Sequence, residues 1–177
     1  MVGLRVVTGE RIALEAIANH AVGSGWASAQ RAQALLAIGD LQAALQAYAE
    51  DPPDPRAAIN DLINDEWVWR LPHVVNHAHL HIAAGEERGR GALHDLLGRA
   101  EELRAEGIVN ADVLYWVASA HAVMGHKDRA LGSLEEAVKR GWRNAWWARH
   151  DWNWSGLRDD SRYRDLLARG GQSAWVR

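Results

Sequence analysis

The sequence has no cysteine, which excludes disulfides, zinc–thiolate sites, iron–sulfur clusters and thiol nucleophiles. Phenylalanine is also absent, so aromatic character rests on ten tryptophans and three tyrosines. Lys127 and Lys139 are the only lysines, and the arginine, alanine and glycine bias reflects GC-rich bacterial codon usage and not chemistry. A net charge of −3 provides no basic face for nucleic acid. No apolar run reaches the length of a membrane span, and Met1-Val2-Gly3-Leu4-Arg5 does not open a signal peptide. The expectation is a cytoplasmic protein without membrane insertion, or a periplasmic one if the chain is part of a larger protein. What remains, 177 residues of which 48% are hydrophobic and 24% charged, suits a single domain (1–177) or a short repeat array.

Apolar residues recur at three and four along most of the chain, which predicts an all-α fold. Ile12, Leu14, Ile17 and Val22 mark one helix; Ala32, Leu35 and Leu36 a second; Leu41, Ala44, Leu45 and Tyr48 a third. Leu4 to Val7 is the only strand-like run. Asp51-Pro52-Pro53-Asp54-Pro55 breaks the pattern, and Pro55 can open a helix through Ile59, Leu62 and Ile63. Further helices are expected over Leu71 to Ala84, from Ala92 through Leu103, through Leu114, Val117 and Met124, and over Lys127 to Arg140. Gly85, Gly107, Gly125 and Gly141 stand at their ends. Asn110 or Asp112 can cap the helix through Leu114. Two short helices, near Asn144 to Arg149 and Ser161 to Arg169, complete the set.

Aligning the glycine stops Gly39, Gly85 and Gly125 reveals a repeat, with Gly-to-Gly spacings of 46 and 40 residues. Ala44 and Ala130 follow their glycines by five, and the bulky Tyr48 and Leu134 come four later. Small residues let antiparallel helices approach, and bulky ones fill the next gap. In the middle copy an insertion places Ala92 and Leu96 in those roles. Leu114, Ala118, His121, Gly125, Ala130, Leu134 and Ala137, at these spacings, resemble a tetratricopeptide repeat. The tail, with Trp142, Trp146, Trp147, Asp151, Leu157 to Tyr163 and Leu166-Leu167, is similar to the closing segment of such arrays at the C-terminus of larger bacterial proteins, including membrane-linked regulators and some hydrolases.

The resemblance implies a right-handed α-solenoid of about three helical hairpins, near 25–50, 71–106 and 111–140, with a Trp-rich cap over 141–169. It also implies a concave groove for a protein or peptide partner, lined by Trp26, Ala29 and Gln33, by Val75 and His79, and by Asp112, Tyr115 and Ser119. Of these Trp26, Gln33, His79, Asp112, Tyr115 and Ser119 are the expected peptide-binding residues, although Asp112 has a competing role in capping.

Other constellations compete with this reading. His73, His77 and His81 recur at i, i+4 and share one helix face, the spacing of zinc or nickel ligands, whereas His79 points away. No His-Glu-x-x-His pattern supplies a general base, and in the repeat registration these histidines are packing residues. A metal-binding module centred on them is the alternative, as is the interaction region of a larger regulator or hydrolase. Asp151 to Gly156 opens like a calcium loop, but Arg162 stands where the closing glutamate belongs, so Asp151 reads as a helix cap. The five tryptophans from Trp142 to Trp154 read as a cover for the last hairpin before they read as a ligand platform. No cofactor and no enzymatic activity are expected. The apolar helix over Ile12 to Ile17 offers a face for a homodimer.

Overall fold

A computed structural model describes residues 25–49, 67–108 and 110–171, and among these every regular element is helical. The strand-like run Leu4–Val7 and the helices expected over Ile12–Val22 and after Pro55 lie outside the described residues. Gly39, Gly85, Gly107, Gly125 and Gly141 all take φ between 77° and 104°, a region costly for any residue with a Cβ. Each closes a helix with the same pair of bonds. At Gly125, for example, the glycine N–H donates to the Ala122 carbonyl, and the His126 N–H reaches back 2.9 Å to the carbonyl of His121.

The helices are α1 (Gly25–Ile38), α2 (Leu41–Ala49), α3 (Trp67–Ala83), α4 (Arg88–Ala105), α5 (Ala111–Val123), α6 (Lys127–Lys139), α7 (Ala145–His150) and α8 (Ser161–Gly170), with a 3-10 turn at Trp152–Leu157. Consecutive helices pair most closely as α1 with α2, α3 with α4, and α5 with α6. The pairs then stack in chain order, α2 on α3 and α3 on α5, while α8 closes on α6. One apolar cluster runs from Leu71 and Leu93 through Leu131 and Leu134 to Tyr163 and Leu166; a second gathers Ala32, Leu35, Ala44, Tyr48 and Leu80. No helix among the described residues is long and apolar enough to cross a membrane.

Two local expectations need correction. Helix α3 begins at Trp67 and not at Leu71, so Pro72 lies inside it instead of in its first turn. The proline therefore removes one N–H from the helix ladder, a cost that packing of the buried Leu71, Val74 and Val75 offsets. In the middle hairpin the close approach is made by Gly89, four residues after Gly85, and not by Ala92. A Cβ at Gly89 would stand 2.4 Å from the Ala78 carbonyl oxygen and 3.0 Å from His81 Cβ. Leu93, fully buried, then fills the position of Tyr48 and Leu134. Gly89→Ala is accordingly expected to push α3 and α4 apart and cost about 1–3 kcal/mol. Gly91→Ala, which meets nothing within 4 Å, should be neutral or stabilising by about 0.5–1 kcal/mol. Urea midpoints for the two variants test this, and equal midpoints would remove Gly89 from the contact.

Candidate functional site

Helices α3 and α5 lie side by side and share one face. Asn76 and His79 project from α3, Tyr115 and Ser119 from α5, each pair spaced to fall on one side of its helix. The chain leaving α7 returns across this face as Asp151-Trp152-Asn153-Trp154. It is turned by Asp151, whose carboxylate accepts the backbone N–H of Asn153 at 3.0 Å and so caps the 3-10 turn. The predicted capping role of Asp151 is thus present, though on a 3-10 turn and with a second task in the interior.

That second task is a buried polar network. The Tyr115 hydroxyl donates to Asp151 Oδ2 at 2.7 Å. The Asn153 amide donates to Asp151 Oδ1 at 2.8 Å and to Asn76 Oδ1 at 2.7 Å, and the Trp152 indole N–H donates to the same Asn76 oxygen at 3.2 Å. His79 Nδ1 donates to Asn153 Oδ1 at 2.9 Å while its ring stacks on Trp152, centroids 3.6 Å apart. The Trp154 indole donates to Ser119 Oγ at 3.0 Å, and Ser119 in turn donates to the Tyr115 carbonyl. Asn76, Ser119, Asp151 and Asn153 are all buried. Unpaired, such groups would be costly; here each has partners.

Burial sets the electrostatics. Loss of solvent raises the Asp151 carboxyl to about 6, against the lowering effect of its bonds from Tyr115 and Asn153. The Tyr115 hydroxyl is pushed well up by burial and by the Asp151 charge. His79 is lowered to about 4, because desolvation of its cation outweighs the bond to Asn153. At neutral pH the network therefore holds a neutral imidazole and a largely ionised carboxylate.

The six residues expected to line an open groove divide as follows. His79, Tyr115 and Ser119 do converge, but Tyr115 and Ser119 are covered by the chain's own Asp151–Trp154 and present no free surface. That is a correction to their role. Gln33 is half-buried on α1, and Asp112 is exposed in the first turn of α5. Asn110 supplies the cap of that helix, accepting from the Asp112 N–H at 2.8 Å, so Asp112 keeps its carboxylate uncommitted to capping. The side chain of Trp26 lies outside the described residues. Periodicity missed Asn76 and Asn153, whose bond spans 77 positions.

The tryptophans of the tail do not act as one platform. Trp142 stacks on Tyr115 and Trp154 on Tyr163, both within the core, whereas Trp146 is 68% exposed. Trp142 and Trp154 are therefore core side chains, and Trp146 faces solvent.

The histidine cluster assembles only in part. Among the described residues no three histidine, cysteine or carboxylate side chains converge as a metal-ligand set, so the trio His73, His77 and His81 is not one. His77 and His81 do meet, Nε2 to Nε2 at 2.9 Å. They border a cleft of about 790 Å3 with Asp40, Gln42, Gln46, Glu86 and Arg88. Glu86 Oε2 lies 2.9 Å from His81 Nδ1 and 2.6 Å from Arg88 Nε. A carboxylate is the better acceptor, so both nitrogens donate to it, although Arg88 Nε is also 3.2 Å from the imidazole. This assigns the His81 proton to Nδ1 and leaves its Nε2 to accept from His77. A second cleft, about 690 Å3 between α4, α5 and α6, is lined by His94, His121, His126, Glu101 and Arg129 among others. No known family model, curated protein or solved structure matches the chain.

Proposed function

We propose that the chain is a non-enzymatic, tetratricopeptide-like module that binds a protein or peptide partner, or assembles a larger complex, on the face to which α1, α3 and α5 contribute. The observation that carries this reading is the seating of Asp151–Trp154 on α3 and α5. That face holds the capped start of a 3-10 turn through side-chain bonds with Asn76, His79, Tyr115 and Ser119. Recognition through side chains on both partners is sequence-selective, and repeat surfaces extend it by adding neighbouring helices. With Tyr115 and Ser119 already engaged, the partner surface moves to Gln33 on α1, the outer edge of the His79–Trp152 stack and Asp112.

Selection of peptides from a random library against the full chain tests the proposal. Gln33→Arg and Asp112→Lys should each weaken a selected peptide at least tenfold, equivalent to about 1.4 kcal/mol. Neither should move the melting temperature much, because Asp112 is exposed and Gln33 is only half-buried. Failure to enrich any peptide, or binders indifferent to both substitutions, would defeat the reading.

A further inference from the structure

A different side of α3 carries two imidazoles that meet tip to tip. We propose that His77 and His81 form a tetragonal site for a divalent transition metal of the copper(II) class, with Glu86 as the carboxylate behind His81 and water completing the coordination. This goes beyond the peptide-binding reading and does not depend on it.

The geometry is the first support. The two Nε2 atoms are 2.9 Å apart. At metal–nitrogen bonds of about 2.0–2.1 Å that separation subtends roughly 90°, whereas a tetrahedral pair would stand about 3.3 Å apart. A right angle between two imidazole nitrogens is the cis arrangement of tetragonal copper(II) or nickel(II). The rings also approach at an angle instead of end to end. Their planes cross at 78° with centroids only 4.3 Å apart, closer than two rings joined in line through a bond of that length. That bent approach is the one two cis ligands of a single ion require.

The surroundings supply the rest. Glu86, just past the Gly85 turn, is 2.9 Å from His81 Nδ1 and is itself held by Arg88. A carboxylate on the far nitrogen fixes the tautomer that leaves Nε2 free to ligate, and it raises ligand basicity. His77 needs only to shift its proton from Nε2 to Nδ1. The cleft in front carries oxygen donors on Asp40, Gln42 and Gln46 and is open enough for water. Among the described residues no third histidine or carboxylate joins the pair, so the remaining positions fall to solvent.

Titration of the full chain with copper(II), followed by calorimetry and electron paramagnetic resonance, tests the site. One ion per chain is expected, with an axial spectrum split by two nitrogens. His77→Ala should remove that spectrum. Glu86→Gln should weaken binding about 10- to 100-fold while keeping both nitrogens. His94→Ala, on the other cleft, should change neither. Circular dichroism establishes that each variant folds, and Glu86→Gln, which alters a partly exposed side chain, carries the test if His77→Ala does not. Absence of stoichiometric binding, a spectrum without the nitrogen pair, or affinity indifferent to Glu86→Gln would each overturn the proposal.

Discussion

Trp154→Ala is expected to remove about 3–5 kcal/mol of stability, the usual loss for a fully buried large aromatic. Against a typical total of about 5–15 kcal/mol this threatens the native state at physiological temperature. Trp154 has no exposed surface, its ring stacks on Tyr163 at 4.9 Å, and its indole N–H donates to Ser119. Truncation opens a cavity between α5 and α8 and leaves Ser119 Oγ without a donor. It also loosens the neighbouring Asp151, whose partners Tyr115 and Asn153 depend on the segment staying seated. Trp154→Phe keeps the stack and loses one hydrogen bond, so about 1–2 kcal/mol is expected there. Trp146→Ala, at an exposed position, should stay within about 0.5 kcal/mol. Urea unfolding followed by near-ultraviolet dichroism separates the three. A Trp154→Ala midpoint close to that of Trp146→Ala would mean that the tail is not part of the cooperative core.

Much of the fold was legible because its signals are local. A glycine at the end of an apolar helix predicts a left-handed stop, and the five positive φ values fall at Gly39, Gly85, Gly107, Gly125 and Gly141, the glycines expected to end helices. Asn110 was readable as a cap for the same reason: its partner is two residues away. The middle hairpin was misregistered because Gly89 and Ala92 both offer a small residue, and only the approach of the Ala78 carbonyl to Gly89 distinguishes them. The candidate site divides along the same line. His77 and His81 share a face by helical spacing alone, but Glu86 reaches them from beyond the Gly85 turn, where the period ends. His79, Tyr115 and Ser119 were placed on a common face, yet what covers them arrives from Asp151 to Trp154. Those bonds span 35 to 77 positions, and no periodicity carries information at that range.

Acid should destabilise the protein steeply between about pH 6.5 and pH 4, well before most carboxylates titrate. His77, His79 and His121 are each lowered from 6.5 to about 4, first by burial, with cationic neighbours adding to the effect at His77 and His121. Between these values the unfolded chain binds protons that the folded chain refuses. The stability that depends on neutral histidine is complete above about pH 6.5 and is lost as pH falls towards 4. Asp151 opposes this. Raised from 3.8 to about 6, it binds its proton more tightly when folded, so its contribution grows as pH drops through 6. Asp112, also raised by partial desolvation, opposes in the same sense; the three histidines outweigh both aspartates, and the net slope favours unfolding in acid. His79 is the most enclosed of the three, and its shift is worth about 2–3 kcal/mol after allowance for residual solvent contact. His79→Gln keeps a donor for Asn153 and cannot titrate, so its stability should vary less with pH over that window. Asp151→Asn removes that residue's share of the opposing slope, and its acid-side loss should be steeper than that of the parent. Urea midpoints collected from about pH 7.5 to pH 4.5 read all three curves. An unchanged slope in His79→Gln would place that imidazole in water and not beneath Trp152, and the buried network across α3 and α5 would lose its histidine.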